Sequence, residues 1–175
     1  MMKTYASRIF LVGLMGAGKS SVGRLLADRL KYAFIDSDQE IEARSGVKIP
    51  LIFEMEGESG FRRREKMALE ELSQRSAMVL ATGGGAVLDA DSRQILRERG
   101  FVVYLKATPE VLFQRTIRDR YRPLLQTDDP RRVLEELLIL REPYYLEVAH
   151  LVINSDCYLK EVVQAILTEI GAESE

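Results

Sequence analysis

One stretch near the start of the chain, Gly13-Leu-Met-Gly-Ala-Gly-Lys-Ser20, limits what the protein can fold into more than any other. It meets the pattern G-x-x-x-x-G-K-[ST] at each fixed position, with Gly13, Gly18, Lys19 and Ser20. The apolar run Arg8-Ile-Phe-Leu-Val12 before it reads as a buried strand. After it, Val22, Leu25, Leu26 and Leu30 recur at helical spacing. A glycine loop between a strand and a helix lets backbone N–H groups curl around a phosphate, and the helix adds the positive end of its dipole. In such a loop the lysine reaches the β- and γ-phosphates, and the serine hydroxyl can ligate Mg²⁺.

Bulk properties narrow the class. The chain has 175 residues, enough for one domain with a sizeable core. Hydrophobic residues make up 46% and charged residues 30%, which excludes a disordered chain. The net charge of -2 argues against a dedicated nucleic-acid binder. A single cysteine, Cys157, excludes an internal disulfide and a cysteine metal cluster and suits a reducing cytoplasm. The apolar run from Ile9 to Gly18 contains the phosphate loop, so it is not read as a secretory signal. No apolar stretch is long enough for a bilayer, and no membrane partner is expected.

Further along, Tyr32-Ala-Phe-Ile35 reads as a second strand, ending in Asp36-Ser-Asp38. Short helical pieces follow over 39–45 and 49–58, punctuated by Gly46, Pro50, Gly57 and Gly60. A helix over about 61–74 has Phe61, Ala68, Leu69 and Leu72 on its apolar side. Met78 to Ala81 is a buried strand closed by Thr82-Gly-Gly-Gly85. A helix over 90–99 is expected to be stopped by Gly100 in the C′ role, where a glycine is usually left-handed. Phe101 to Leu105 is a strand. Thr108 and Pro109 cap and start a helix that ends near Arg118. The polar segment from Asp119 to Pro130 reads as a loop of the kind that closes over a site. Asp129-Pro130 opens a long helix whose buried face is marked by Val133, Leu134, Leu137, Leu138 and Leu140. A strand over 151–153 and a helix over 159–170 complete an alternation that implies a parallel sheet with helices on both faces.

In such sheets ligands sit at the carboxyl ends of the strands. The phosphate loop, Asp36 and Asp38, Gly83 to Gly85, and Asn154 to Asp156 all fall there. Asp38 could orient a substrate hydroxyl and take its proton, and Asp36 could hold Mg²⁺ through water. The alternative makes Asp38 the N-cap of the next helix and Asp36 a solvated turn residue. Arg62 and Glu65 share a helix face, so Glu65 could orient the guanidinium for bidentate capture of a carboxylate. Gly83-Gly-Gly85 would let a ligand approach the main chain closely. Arg122, in the irregular loop, could meet a transferring phosphoryl group. Arg115 could stack on a base. Arg141, placed at the end of the long helix before Glu142-Pro143, could bind an anion or complement the helix dipole. His150, the only histidine, reads as the start of a strand.

Taken together, the glycine loop, Asp36-Ser-Asp38, Phe61-Arg62-x-x-Glu65, Gly83-Gly-Gly85, Arg122-Pro-Leu-Leu125 and Arg141-x-Pro-x-Tyr145 resemble the shikimate kinase family in order and spacing, over about residues 7–170. The resemblance implies a three-layer α/β/α P-loop kinase fold, with a five-stranded parallel sheet in the order 2-3-1-4-5. It also implies a substrate-binding region at about 36–65 and a lid at about 116–128. The implied reaction is transfer of the ATP γ-phosphoryl group to the 3-hydroxyl of shikimate, in chorismate and aromatic amino-acid biosynthesis. By position, Gly16, Ala17, Gly18, Lys19, Ser20, Ser21, Arg115 and Arg122 would contact ATP. Asp38, Arg62, Gly83, Gly84, Gly85 and Arg141 would contact shikimate. Lys19, Asp38 and Arg122 would be catalytic, with Mg²⁺ on Ser20 and, through water, Asp36. A cytoplasmic monomer is expected. Two departures stand out: Ser21 replaces a threonine found in many members, and Asn154-Ser-Asp-Cys157 lacks the arginine or proline that some members place near adenine.

Overall fold

The computed structural model describes residues 6–117 and 122–172. Five strands, β1 (Arg8–Val12), β2 (Ala33–Asp36), β3 (Met78–Ala81), β4 (Phe101–Lys106) and β5 (Leu151–Asn154), form one parallel sheet in the order β2-β3-β1-β4-β5. Parallel neighbours need crossover connections, and helices supply them. They are α1 (Lys19–Leu30), α2 (Ser37–Ser45), α3 (Ile49–Leu72), α4 (Ala90–Arg99), α5 (Pro109–Thr116), α6 (Pro130–Val148) and α7 (Leu159–Glu169). α1 packs with α7, and α4 packs with α3 and α6. The sheet lies between these helical layers, as the alternating pattern predicts.

The central strands are apolar at nearly every position because both faces are covered. Ile9, Phe10, Leu11 and Val12 are all fully buried, as are Val79, Leu80, Val102 and Val103. Each such side chain contributes roughly 1.5–3 kcal/mol of transfer free energy. Register then sets the site. Leu11 and Asp36 both lie opposite Ala81 on β3. The segments leaving β1, β2 and β3 therefore emerge side by side.

Helix starts follow their capping signals. Asp89, Thr108 and Asp129 accept the Ser92, Val111 and Arg132 N–H groups, with Pro109 and Pro130 at the first helical positions. α3 is continuous in its bounds but breaks at Gly57, whose φ is 72°, just inside the end of the first predicted piece.

Four expectations change. Asp36, rather than Asp38, caps α2, and Asp38 lies in its first turn. The end of α5 is not among them: it ends at Thr116 with Ile117 as its C-cap, near the expected position, and Arg118 lies outside the described residues. α6 runs through Pro143 to Val148, so Arg141 is inside the helix rather than at its end. The inward stripe of α6 is Leu134, Arg141, Tyr145 and Val148, at spacings of seven, four and three; Leu140 falls off it and is 60% exposed. Gly100, finally, is not left-handed. Its φ is -155°, ordinary extended backbone, and a Cβ there would lie 2.5 Å from the Phe10 ring.

Gly100 is thus required for space, not for handedness. Gly100→Ala should destabilise the fold by about 1–3 kcal/mol through overpacking against Phe10. Urea unfolding measures this, and unchanged stability would show that Phe10 can yield.

Candidate active site

The phosphate loop takes its shape from glycines. Gly13, Gly16 and Gly18 have φ of 151°, 85° and 95°, which L-residues with side chains rarely adopt. Gly18 caps α1 without a side-chain hydrogen bond, leaving the first N–H groups of α1 for an anion. The Lys19 ammonium donates to the Gly13 carbonyl (2.6 Å) and the Leu14 carbonyl (3.1 Å) of its own loop. Burial, reinforced by the Arg122 charge, pushes it down to about 8.

Asp36 joins this loop to α2. One carboxylate oxygen accepts the Ser20 hydroxyl (2.7 Å), and the other accepts the N–H groups of Asp38 and Gln39. The neighbouring Ser37 is buried, and its hydroxyl accepts the Gly83 N–H (3.0 Å). Two adjacent residues therefore tie the end of β2 to both flanking segments.

Across the cleft, Glu65 is only 4% exposed. It accepts from Arg62 at 2.7 Å, and the Arg62 guanidinium also sits over the Phe61 ring. Burial pushes Glu65 up, opposed by the charges of Arg62 and Arg141. The triple-glycine turn packs directly on these groups. A Cβ on Gly83 would collide with Glu65 and lie 2.9 Å from Asp38 Oδ1, and one on Gly85 would collide with Arg62. The glycines that the sequence offers to a ligand thus first admit the protein's own charged side chains. Arg141 is 2% exposed and lies beside Gly84.

Asp38 Oδ1 is buried and has no hydrogen-bond partner among the described residues. Burial, with the charges of Glu65 and Asp36, pushes this carboxyl up to about 7, against the pull of Lys19 and Arg122. A carboxylate poised near neutrality, with an unused acceptor oxygen, is suited to a hydroxyl proton.

These groups line one cleft of about 970 Å³ that runs from the phosphate loop to Phe53 and Phe61. Arg122 and Arg115 line it too. Arg115 is engaged with the backbone: it donates to the Gly16 and Ala17 carbonyls (3.2 and 3.4 Å) and to the Ser155 carbonyl (2.7 Å). It ties the phosphate loop to the segment after β5, where Ser155 and Cys157 line the cleft. His150 is structural; its Nδ1 accepts the Val102 N–H. The sequence reading gave no role to Ser37 or to Tyr145, whose hydroxyl donates to the Gly84 carbonyl. The position of Ser37 between two aspartates, and of Tyr145 four residues after Arg141, were the available signals.

Comparisons with known proteins identify the family and the fold. The family model for shikimate kinase matches residues 15–171. A shikimate kinase of Bordetella pertussis is 58% identical over 165 residues, covering 94% of this chain and 78% of that protein. The structure of a shikimate kinase from Acinetobacter baumannii in complex with shikimate is 49% identical, with a TM-score of 0.90 over 95% of this chain and 96% of that one. A gluconokinase from Sinorhizobium meliloti is similar in fold alone: 20% identical, with a TM-score of 0.57 over 95% of this chain and 93% of that one.

The raised Asp38 carboxyl has a consequence for stability. An unfolded aspartate ionises near 3.8, the folded one at about 7, so between these values the folded chain holds a proton that the unfolded chain has lost. This contribution is complete below about pH 4 and is lost as pH rises through about 7. Asp38→Asn removes the burden of the charged form. The melting temperature of the variant should exceed that of the native protein at pH 8, and the difference should shrink toward pH 4.5. Each kcal/mol corresponds to about 2–4 °C in a chain of this size. A pH-independent difference would place Asp38 in a solvated setting.

Proposed function

The chain belongs to the shikimate kinase family and phosphorylates shikimate with ATP, and from this premise we propose how its residues divide the work. The observation that carries the division is the buried Glu65, bonded to Arg62 and facing Arg141, beside the unpartnered oxygen of Asp38. Two guanidinium groups, Arg62 bonded to the buried acid and Arg141 in its field, suit the carboxylate of shikimate, because the planar fork captures it with two parallel bonds. Gly83, Gly84 and Gly85 form the wall on which the substrate rests. Asp38 orients the 3-hydroxyl and receives its proton as the oxygen forms its bond to the γ-phosphorus, while the bond from that phosphorus to the leaving ADP oxygen breaks. Lys19 and Arg122 hold the oxygens of the transferring group, where charge is spread. The backbone from Gly16 through Ser21 receives the phosphates, and Arg115 lies beside the base.

Mg²⁺ fits this site. Ser20 and Asp36 present two hard oxygens 2.7 Å apart beside the phosphate loop. Among the described residues no cluster of three or more His, Cys, Asp or Glu could hold a metal alone, as befits an ion that relies on substrate phosphates. When bound, the ion would neutralise charge on the phosphate oxygens. The same reading assigns residues 36–65 to shikimate and 116–128 to a lid, of which 118–121 lie outside the described part. It also places a monomer in the cytoplasm, without nucleic-acid or membrane partners. The net charge of -2 supports the former, and among the described residues no helix is long and apolar enough to cross a membrane.

ADP release that depends on shikimate, and not on gluconate, tests the assignment. Within it, Arg62→Lys should raise the shikimate KM at least tenfold, about 1.4 kcal/mol, with ATP affinity little changed. Arg122→Ala should instead lose most turnover with modest change in shikimate binding. Separate titrations with shikimate and an ATP analogue distinguish them, and the reverse pattern would overturn the site map. Because Asp38 must be ionised to accept the proton, kcat/KM for shikimate should fall as pH drops below about 7.

A further inference from the structure

Tyr145 is fully buried in α6, one turn beyond Arg141 on the same inward stripe. Its ring stacks on Tyr104 with centroids 5.1 Å apart. Its hydroxyl donates to the Gly84 carbonyl at 2.5 Å and is also hydrogen-bonded to the Arg141 side chain; burial, set against the charge and the hydrogen bond of Arg141, pushes its ionisation upward, so it stays a neutral donor that touches both the glycine turn and the cation. Gly84 in turn is wedged between two halves of the site. A Cβ there would lie 3.4 Å from Arg141 Nη1 on one side and 3.5 Å from the Gly13 carbonyl oxygen and the Met15 nitrogen on the other. The Gly83 N–H is taken by Ser37, whereas the N–H groups of Gly84 and Gly85 donate to nothing among the described residues. Both glycines line the cleft; Tyr145 does not.

From this arrangement we infer that Tyr145 is a positioning residue for the acid end of the acceptor substrate. Its hydroxyl anchors the Gly84 carbonyl from behind the cleft, so the glycine turn, which has no side chains to brace it, keeps its two unused N–H donors in fixed register with Arg141. A glycine peptide freed from that anchor would rotate readily, because no Cβ resists it. The same α6 stripe then carries both the cation and the brace, and Arg93 reinforces the join. Arg93 donates to the Val87 and Leu88 carbonyls after the turn and pairs with Glu147 of α6 at 3.0 Å.

The inference rests on the reading of Arg141 as a carboxylate ligand, so the test measures both. Shikimate and an ATP analogue are titrated separately into native protein, Tyr145→Phe, Tyr104→Phe and Arg141→Lys, with steady-state KM and kcat for each. Tyr104→Phe is the control, since that hydroxyl bonds Glu142 at 3.2 Å, away from the glycine turn, and loses the same atom from the same stack. Tyr145→Phe should weaken shikimate binding about fivefold to tenfold, with ATP binding within about twofold of native, and Tyr104→Phe should leave both unchanged. Native shikimate affinity in Tyr145→Phe, or equal loss for both ligands, would overturn the inference. If Arg141→Lys also binds shikimate normally, the fault lies in the reading of Arg141. If Arg141→Lys is impaired and Tyr145→Phe is not, only the role of Tyr145 fails.

Discussion

The acceptor half of the site depends on one buried carboxylate. Glu65 sits on the inward face of α3 among Phe61, Ala68, Leu69 and Leu72, at a place where burying a charge without a partner would be strongly unfavourable. Its partner, Arg62, comes from the same helix face, and Arg141 approaches from α6. The carboxylate therefore fixes Arg62 and attracts Arg141, and the space for the Arg62–Glu65 pair exists because Gly83 and Gly85 have no side chains. An alanine at either glycine would displace the carboxylate or the guanidinium, and with it the geometry of anion capture. The substrate pocket is less a hole in the protein than the unfilled side of this ion cluster.

The donor half is built on Asp36 in a comparable way. A residue at the end of β2 caps α2 with one oxygen and binds the phosphate-loop serine with the other. Ser37, next in the chain, holds the glycine turn. Because β3 lies between β1 and β2, these short bonds suffice to lock three segments that are far apart in sequence. Strand order thus decides chemistry here. With β2 elsewhere in the sheet, neither Ser20 nor Gly83 would lie within reach of adjacent residues.

Much of this was legible in the sequence where a pattern is local. The strand–loop–helix unit, the Thr108-Pro109 and Asp129-Pro130 helix starts and the i,i+3 pairing of Arg62 with Glu65 each depend on a few neighbouring residues, and each is found. The misreadings have non-local causes. Which of Asp36 and Asp38 caps α2 depends on where β2 ends, and the strand is one residue longer at that end than its apolar run. Pro143 looked like a helix stop, yet packing of Leu134, Tyr145 and Val148 outweighs the loss of one helical hydrogen bond. Gly100 carries the local signature of a C′ residue, but its reason is the Phe10 ring on β1, ninety positions away. Arg115 read as a free cation for a base, whereas three backbone carbonyls from two distant segments claim it.

The charge of the chain is a poor guide to its ligands, and the structure shows why. At -2 the protein carries a slight excess of the sign its two anionic substrates also bear. The acids that produce this excess are mostly placed on helix surfaces in exposed pairs, such as Arg132 with Glu136 and Arg131 with Glu110, where solvent screens them and they contribute little. In the cleft the balance is inverted: Lys19, Lys48, Arg62, Arg115, Arg122 and Arg141 line one cavity against Asp36, Asp38, Glu42 and Glu65. Those acids do not simply cancel the cations. Glu65 is turned to Arg62 and Asp36 to Ser20 and the α2 N-terminus, so their negative charge is spent on holding other groups in place. Asp38, whose Oδ1 has no such engagement, is the acid that burial brings close to neutrality. An incoming anion therefore meets cations, while Asp38 Oδ1 and Glu65 Oε2 remain as buried acidic oxygens without hydrogen-bond partners among the described residues, the former on the carboxyl that burial brings to about 7.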